Sequence, residues 1–279
     1  MGKILNRIFG DIADKISIGP DFLFSSGVSE RFAAHFSSND VHRLFEKAGV
    51  LSVLRNRGFS DFSFRLFRDE NFLDRLELFS SGHVLIDLRI SKKRIELPDP
   101  CDAVCDFLNL EWLSSANPGI KEAGIQRLLP GQRKSGLGIL NPLMRLMEIS
   151  SSMITEDGYL SVPDHLHLAL MYSSKFRFMN PETEALVRSV RRDLKKDGLY
   201  NIAWAYPCGA IVNLNTGNPV VYEPGYQIYP VSRKMKKYFS SDRYQQSVRQ
   251  AMKVRLSVDY TVLKEKKREI LRKISPEEV

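Results

Sequence analysis

The residues best suited to chemistry form a glycine-containing loop, RKSGLG, at positions 133–138. Glycines let consecutive backbone N–H groups converge on one point, and a helix that follows adds its own unpaired N–H groups and the positive end of its dipole. Arg133 and Lys134 bring further positive charge to the same place. The pattern is short, and chance supplies it about 0.3 times in a chain of this length. The loop therefore predicts a phosphate-binding site, with a simple connecting turn as the alternative.

Carboxylates and histidines in nearby segments could move protons. Glu111 in LNLEWL and Asp87 in VLIDLRI could each act as a general base, or each could be a polar residue on the solvent face of a strand. His165 and His167 are two positions apart, so on a helix they point to different sides and do not make the metal pair found at spacings of three or four. His165 is a candidate base or a partner of the neighbouring strand, and no metal site is predicted.

Charge and cysteine content limit the classes of function. The formal net charge is +8, and the segment from Arg233 to Lys273 holds fourteen Lys and Arg against four Asp and Glu. Cys101, Cys105 and Cys208 are odd in number and lack redox or zinc spacing, which indicates reduced thiols in a cytoplasmic protein. No apolar run of 18 residues and no signal peptide is seen, so we expect no membrane span.

Hydrophobic periodicity predicts the elements that hold these residues in place. Apolar residues recur at helical spacing from Ile4 to Ile16, and a second helix is predicted from Asp40. The inward-facing residues of this second helix are Val41, Leu44, Phe45, Ala48, Leu51 and Leu54. With 43% hydrophobic residues in 279, the chain can bury a substantial core.

From Asp61 the apolar period changes to two, which is typical of strands. The segments FSFRLFRD, RLELFSS, HVLIDLRISKK and DFLNLEWLS alternate in this way, and Ser80–Ser81–Gly82 joins the second and third as a hairpin. After the glycine loop come a helix predicted to begin at Pro142, the strand YLSV and the helix DHLHLALMYSSKF.

The C-terminal third is predicted to add both helices and strands. Asn180 and Pro181 open a helix that stops at Gly198, and the tail from Ser241 is predicted to form two helices. Three segments between them, NIAWAY, AIVNL and PVVYE, are predicted as strands that extend the sheet.

The chain from about Asp61 to Phe178, and most specifically from Leu128 to Phe178, resembles the acetyl-CoA-binding core of the GNAT-type N-acetyltransferase superfamily. In that family a strand is followed by R/Q-x-x-G-x-G/A, a helix, a strand and a helix that bears a tyrosine. Here Arg133, Gly136 and Gly138 fill the loop pattern, YLSV follows as the strand, and Tyr172 ends the second helix.

The resemblance implies a role for each part of the site. The loop's backbone amides would hold the pyrophosphate of acetyl-CoA, and Tyr172 would protonate the departing thiolate. Glu111, with Asp87 as second candidate, or His165 would take the proton of the attacking amine. The implied cofactor-binding residues are Leu129, Arg133, Lys134, Ser135, Gly136, Leu137 and Gly138.

The sequence thus predicts an acyl-CoA-dependent N-acyltransferase, with acetyl transfer to an amine as the expected reaction. The alternative is a non-catalytic GNAT-fold binding protein whose basic C-terminal region binds nucleic acid or an acidic protein partner. The expected fold is α+β, with a mixed, mainly antiparallel sheet flanked by helices. Its expected parts are an N-terminal helical segment at 1–60, an acyltransferase domain with extra C-terminal strands at 61–240, and a basic helical tail at 241–279.

Overall fold

A computed structural model describes residues 27–28, 31–68, 73–97, 103–115, 117–118, 128–132 and 136–273. Over these ranges the protein is an α+β fold in which helices flank a mixed, mainly antiparallel sheet. The amphipathic helix predicted at Ile4–Ile16 lies outside the described residues, as do Cys101 and the loop residues Arg133, Lys134 and Ser135.

The described strands are short at both ends of the chain and long in the middle. In chain order they are β1 (Gly27–Val28), β2 (Arg31–Phe32), β3 (Phe36–Ser37), β4 (Ser63–Arg68), β5 (Asp74–Ser80), β6 (His83–Glu96), β7 (Val104–Ser115), β8 (Gly158–Ser161), β9 (Arg177–Phe178), β10 (Ile211–Asn213), β11 (Gln227–Pro230) and β12 (Leu256–Val258). Eight of them form the main sheet in the order β1-β4-β5-β6-β7-β8-β11-β9. Neighbours are antiparallel except β7 and β8, which are parallel.

The helices of the described ranges are α1 (Ser38–Ala48), α2 (Val50–Arg55), α3 (Leu140–Ser150), α4 (Leu166–Tyr172), α5 (Pro181–Asp193), α6 (Gly198–Ala205), α7 (Arg233–Ser240), α8 (Asp242–Ala251) and α9 (Tyr260–Lys273). A 3-10 turn, Lys195–Asp197, precedes α6. Within the part of the chain that is described, none of the helices has the length and apolar character needed to cross a bilayer.

The helix predicted near Asp40 is two helices. Ser37 is the N-cap of α1: its hydroxyl accepts from the Asp40 N–H, and the Asp40 carboxylate accepts from the Ser37 N–H at 3.0 Å. Asp40 therefore completes a capping box and is not the cap itself. Gly49, with φ of 82°, ends α1 and separates it from α2. The six residues predicted to face inward are all buried.

The predicted hairpin is confirmed. Ser81 and Gly82 form a two-residue turn between β5 and β6, and both have positive φ, as the turns that suit the twist of a hairpin require. The strands β4 to β7 follow one another as antiparallel neighbours.

The two faces of the central strands differ in character. One face packs under α1, α2 and α3 in an apolar core that includes Leu76, Ile86, Leu108 and Leu143. The opposite face of β5 and β6 carries arginines and carboxylates, which we call the charged face: Arg75, Glu77, Asp87 and Arg89.

The prediction of three sheet-extending strands within residues 201–223 is partly wrong. NIAWAY lies in α6, where Ile202 and Trp204 are buried, and the Trp204 indole N–H donates to the Leu128 carbonyl at 3.1 Å. A short apolar run without alternation does not distinguish a buried helix from a buried strand. β10, from AIVNL, pairs with β12 in a separate two-stranded sheet, and PVVYE contributes only the bridge from Pro219 to Val212. The main sheet is extended instead by β9 and β11.

Candidate functional site

The two parallel strands stop pairing after Asn109 and Leu160, and we call the unpaired region beyond this point the opening. β7 and β8 pair only over Phe107–Asn109 and Gly158–Leu160, and β8 ends at Ser161. β7 continues to Ser115 and stays paired with β6 on its other side. Among the described residues, no strand pairs with the β8 side of residues 110–115. Within the described ranges, the backbone along this edge therefore has no neighbour in the sheet.

The glycine loop lies at the far end of this edge. A β-carbon built on Gly136 would lie 3.7 Å from Ser115 Oγ, so the loop runs directly beside the last residue of β7. Leu137 and Ile139 are buried and fix the loop to the core. Gly138 has φ of 60°, a conformation that favours glycine, and a β-carbon there would lie 2.6 Å from Nη2 at the end of the exposed Arg57 side chain.

The helix after the loop begins nearer the glycines than predicted. α3 starts at Leu140 with Ile139 as N-cap, whereas Asn141 and Pro142 lie within its first turn. Proline is tolerated there because its missing N–H would have no intrahelical partner. No side chain caps this end. The prediction that the helix begins at Pro142 is therefore wrong, and the positive end of the α3 dipole lies next to Gly138.

Arg57 is a basic residue that sequence reasoning missed. It follows α2, its side chain is exposed, and its guanidinium lies against Gly138. It forms no ion pair with any described residue, whereas nearby Arg55 binds Glu46 at 2.7 Å. Arg57 and Gly138 are brought together only by tertiary packing, so no local signal in the sequence could have shown the contact.

Leu129 has a structural role in the described part of the loop. Its backbone N–H donates to the Gln132 side-chain oxygen at 3.1 Å, and the Gln132 N–H donates back to the Leu129 carbonyl. The Leu129 amide is thus already used in a turn. Both backbone groups of Leu129 are used in this turn, so its predicted role in cofactor binding is limited to its side chain.

Glu111 occupies a β-bulge. In the pairing of β6 with β7, Arg89 faces Trp112 and Ile90 faces Leu110, which leaves Glu111 as the extra residue. One carboxylate oxygen, Oε1, accepts hydrogen bonds from Ser91 Oγ at 2.5 Å and Asn109 Nδ2 at 2.6 Å. Bulges commonly re-aim a side chain next to a functional site. The carboxylate is exposed and oriented, and its second oxygen has no partner among the described residues.

Asp87 is held in a different way. Arg75 donates to both of its oxygens, at 2.9 and 3.1 Å, and Arg89 approaches from the other side at 3.0 Å. Burial alone would raise the pKa of Asp87, but the hydrogen bonds from the two arginines outweigh it and hold the pKa below the usual value. Asp87 is therefore a poor general base, and its role is to neutralise the two arginines.

His165 and His167 lie on the same side, contrary to prediction. His165 is the N-cap of α4, with extended backbone, so the helical geometry assumed for the pair does not apply to it. The two rings stack at 5.2 Å, and a β-carbon on Gly131 would lie 2.7 Å from His165 Nε2. Burial lowers the pKa of His165, and that of the His167 ring falls to about 4. Both rings are therefore neutral at physiological pH.

Tyr172 is the last residue of α4 and is partly buried. Its ring packs on Phe176 at 5.8 Å and joins the apolar core that also contains Leu137 and Ile139. Burial raises the pKa of its hydroxyl, so Tyr172 is protonated at neutral pH. Within the described ranges the hydroxyl makes no hydrogen bond, which leaves it able to donate to a ligand.

The structure therefore brings together some of the predicted residues and separates others. The loop glycines, Ser115 and Arg57 meet at the end of β7, and His165 lies against Gly131 at the start of the loop. Glu111 precedes Ser115 by four residues, or roughly 13 Å of strand. Within the described ranges, Tyr172 and Glu111 do not contact each other: Tyr172 packs in the apolar core and Glu111 bonds to Ser91.

The described cysteines offer no nucleophile. Cys105 and Cys208 are buried free thiols. Burial raises the pKa of each to about 11, so neither carries appreciable thiolate at neutral pH.

Comparison with known proteins does not identify the site. The chain matches no protein-family model, no curated protein and no solved structure.

Proposed function

We propose that this protein is an acyl-CoA-dependent N-acyltransferase of the GNAT type that transfers an acetyl or related acyl group to an amine. The observation that carries the proposal is the opened edge of β7, which leads from the bulge at Glu111 to the glycine loop at Ser115. An extended cofactor with a pyrophosphate at one end and a reactive thioester at the other matches both ends of this edge.

The loop end has the features that a pyrophosphate requires. Gly136 and Gly138 allow the backbone to approach a ligand closely, and the uncapped first turn of α3 supplies N–H groups and a positive dipole end. Arg57 adds a permanent positive charge beside Gly138. Arg133 and Lys134 remain predicted contributors from the sequence.

The free edge of β7 suits the amide-containing pantetheine arm. Peptide-like amides can pair with the unpaired N–H and C=O groups of residues 110–115, in the same way that a peptide adds a strand to a sheet edge. This pairing would direct the thioester toward the bulge at Glu111, away from the glycine loop.

The proposed reaction forms an N–C bond and breaks the C–S bond of the thioester. The amine attacks the thioester carbonyl, and Glu111 Oε2 accepts the proton that the amine loses. The departing thiolate takes a proton from the hydroxyl of Tyr172, which packs with the apolar core on the other face of the sheet and must reach the thioester through the unpaired region beside β7. Because Tyr172 is protonated at neutral pH, it is in the correct state for this step.

Calorimetric titration tests the cofactor assignment. Acetyl-CoA and desulfo-CoA should bind with similar micromolar affinity, because they share the pyrophosphate and pantetheine groups, and ATP should bind much more weakly. Titrations at two salt concentrations separate this binding from nonspecific attraction to basic surfaces, which falls steeply with salt. Absence of binding by either CoA compound at both salt concentrations would rule the proposal out.

Two substitutions at Gly136 make the test specific to the loop. A β-carbon at this position meets nothing closer than 3.7 Å and the backbone is not left-handed, so Gly136→Ala should fold and retain binding. Gly136→Glu adds bulk and negative charge in the proposed pyrophosphate site and should abolish binding. If both variants fold and bind acetyl-CoA with equal affinity, the loop is not part of the cofactor site.

Tyr172→Phe tests the proton donor. The substitution keeps the ring contact with Phe176 and removes only the hydroxyl. Turnover should fall while affinity for acetyl-CoA is retained, and an unchanged turnover would leave Tyr172 a packing residue.

A binding function of the basic C-terminal region is the second candidate. Lys264, Arg268 and Arg272 recur every four residues along α9 and form no ion pair with other described residues. A row of unpaired cations on one helix face attracts nucleic-acid phosphates without sequence preference. Binding of a nucleic-acid duplex that weakens steeply with salt and is lost on Arg268→Glu would support this function.

A further inference from the structure

The bulge in β7 places two unlike side chains on one face of the sheet. Trp112 is the cross-strand partner of Arg89, so the two side chains share a face. The Glu111 carboxylate bonds to Ser91, which lies two residues from Arg89 on β6 and therefore on the same face. Without the bulge, Glu111 and Trp112 would alternate across the sheet. With it, a carboxylate and an indole lie side by side on the charged face.

Trp112 differs from two aromatic rings on the neighbouring strands and loops, those of Phe79 and Tyr226. The Arg65 guanidinium lies 4.5 Å from the centroid of the Phe79 ring, and the Lys93 ammonium lies 4.8 Å from the centroid of the Tyr226 ring. Trp112 is 50% exposed, and no cation or ring of the described residues lies over it. Tryptophan is nevertheless the side chain that attracts cations most strongly.

Glu111 likewise lacks a cation. Both of its recorded donors, Ser91 and Asn109, are neutral, and both bind the same carboxylate oxygen. The nearest arginine across the strand, Arg89, is already bonded to Asp87 at 3.0 Å. The Glu111 carboxylate is thus an oriented negative charge and the Trp112 indole an exposed ring face. Among the described residues, no positively charged group contacts either of them.

We infer that Glu111 and Trp112 form a binding site for an organic ammonium ion, specifically a primary alkylammonium group. The ammonium donates to Glu111 Oε2 while the adjoining methylene groups lie on the indole of Trp112. A hard metal ion does not fit, because Ca²⁺ and Mg²⁺ need several oxygen ligands and this site offers a single carboxylate. As a binding site it stands alone; as the acceptor site of the enzyme it depends on the acyltransferase proposal.

Intrinsic fluorescence can report the binding directly. The chain has two tryptophans, and Trp204 is only 3% exposed, so an added ligand perturbs mainly Trp112. The probe is n-butylammonium chloride, with n-butanol as the uncharged analogue and sodium chloride as the ionic-strength control. A saturable change with n-butylammonium alone is expected. A response of equal size to n-butanol, or no saturable response, overturns the inference.

A second probe asks whether the ammonium is a free amine or a lysine side chain. Nα-acetyl-lysine amide carries the same ammonium group on a peptide-like body. Tighter binding of this probe indicates a lysine of a peptide, and tighter binding of n-butylammonium indicates a small amine. Both results support an ammonium site.

Three variants assign the binding to these residues, with ligand-observed NMR as a readout that needs no tryptophan. Glu111→Gln should weaken n-butylammonium binding about 5-fold through loss of the charge, and Trp112→Ala about 3-fold through loss of the ring. Glu96→Gln, at an exposed carboxylate five residues beyond Ser91 at the C-terminal end of β6, is the matched control and should have no effect. Equal affinity in all three variants would show that the site lies elsewhere.

The two proposals fail in different ways. Ammonium binding without acetyl-CoA binding would retain this site and reject the acyltransferase. Acetyl-CoA binding without ammonium binding would retain the acyltransferase and reject this site.

Discussion

Asp87 and Glu111 are carboxylates on the same face of adjacent strands, yet they are held by opposite means. Asp87 is buried between two arginines, and hydrogen bonds reach both of its oxygens. Glu111 is exposed, and two neutral donors bind one of its oxygens. Charged partners occupy both oxygens of Asp87, whereas the neutral partners of Glu111 leave one oxygen without a donor among the described residues.

The difference has a simple electrostatic origin. The arginine partners stabilise the ionised form of Asp87 and donate hydrogen bonds to both of its oxygens. The carboxylate is therefore only weakly basic and poorly placed to accept a proton from a substrate. Neutral donors fix the direction of Glu111 and leave one oxygen open. A β-bulge supplies the geometry that makes this second arrangement possible.

The largest effect is expected from Glu111→Gln in the acyltransfer reaction. The amide keeps the shape of the side chain but cannot accept the amine proton, so turnover should fall about 100-fold. Steady-state kinetics with acetyl-CoA and an amine acceptor measures the change, and calorimetry should show cofactor affinity unaltered. Full activity of Glu111→Gln would mean that Glu111, like Asp87, is not the general base.

The next largest effect is expected from Asp87→Asn on folding. Arg75 and Arg89 would lose their shared counter-charge, and removal of one member of such a buried network destabilises the fold by about 2 kcal/mol when the arginines are partly exposed. Urea unfolding of both proteins measures the loss. The control is Asp106→Asn, which breaks a pair with Arg94 in which both side chains are exposed and should change stability less.

The smallest effect is expected in the pH dependence of stability. Because the pKa of folded Asp87 lies below its ordinary value of 3.8, its ionised form stabilises the protein fully above that pH. This contribution is lost as the pH falls through the lower pKa of the folded state. The difference in unfolding free energy between wild type and Asp87→Asn should therefore shrink in acid. A difference that stays constant at several points below pH 3.8 would contradict the ionised role of Asp87.

Secondary structure was predictable from the sequence where one face of an element is buried and the other is exposed to solvent. The alternation in β4 to β7 and the turn at Ser81–Gly82 are local signals, so these strands and their hairpin were readable. α6 was missed because its residues are apolar in succession and carry no period. β9 and β11 have two and four residues, which is too short for a pattern to emerge.

The candidate site was less predictable because it depends on contacts between distant residues. The glycines could be recognised in the sequence. The position of Arg57 over Gly138, however, results from the packing of α2 near α3. The direction of Glu111 depends on the register between β6 and β7, and a one-residue irregularity there is not visible in either strand alone. The start of α3 was misplaced because Asn141–Pro142 is a good local signal that tertiary structure overrode.

The position of β11 has a consequence for how the protein is made. This strand, Gln227–Pro230, lies between β8 and β9, although both precede it by about fifty residues or more in the chain. During synthesis β8 therefore has an open edge until residue 230 has left the ribosome. Until then the β8 edge is an unpaired strand edge of the kind that can pair with other chains.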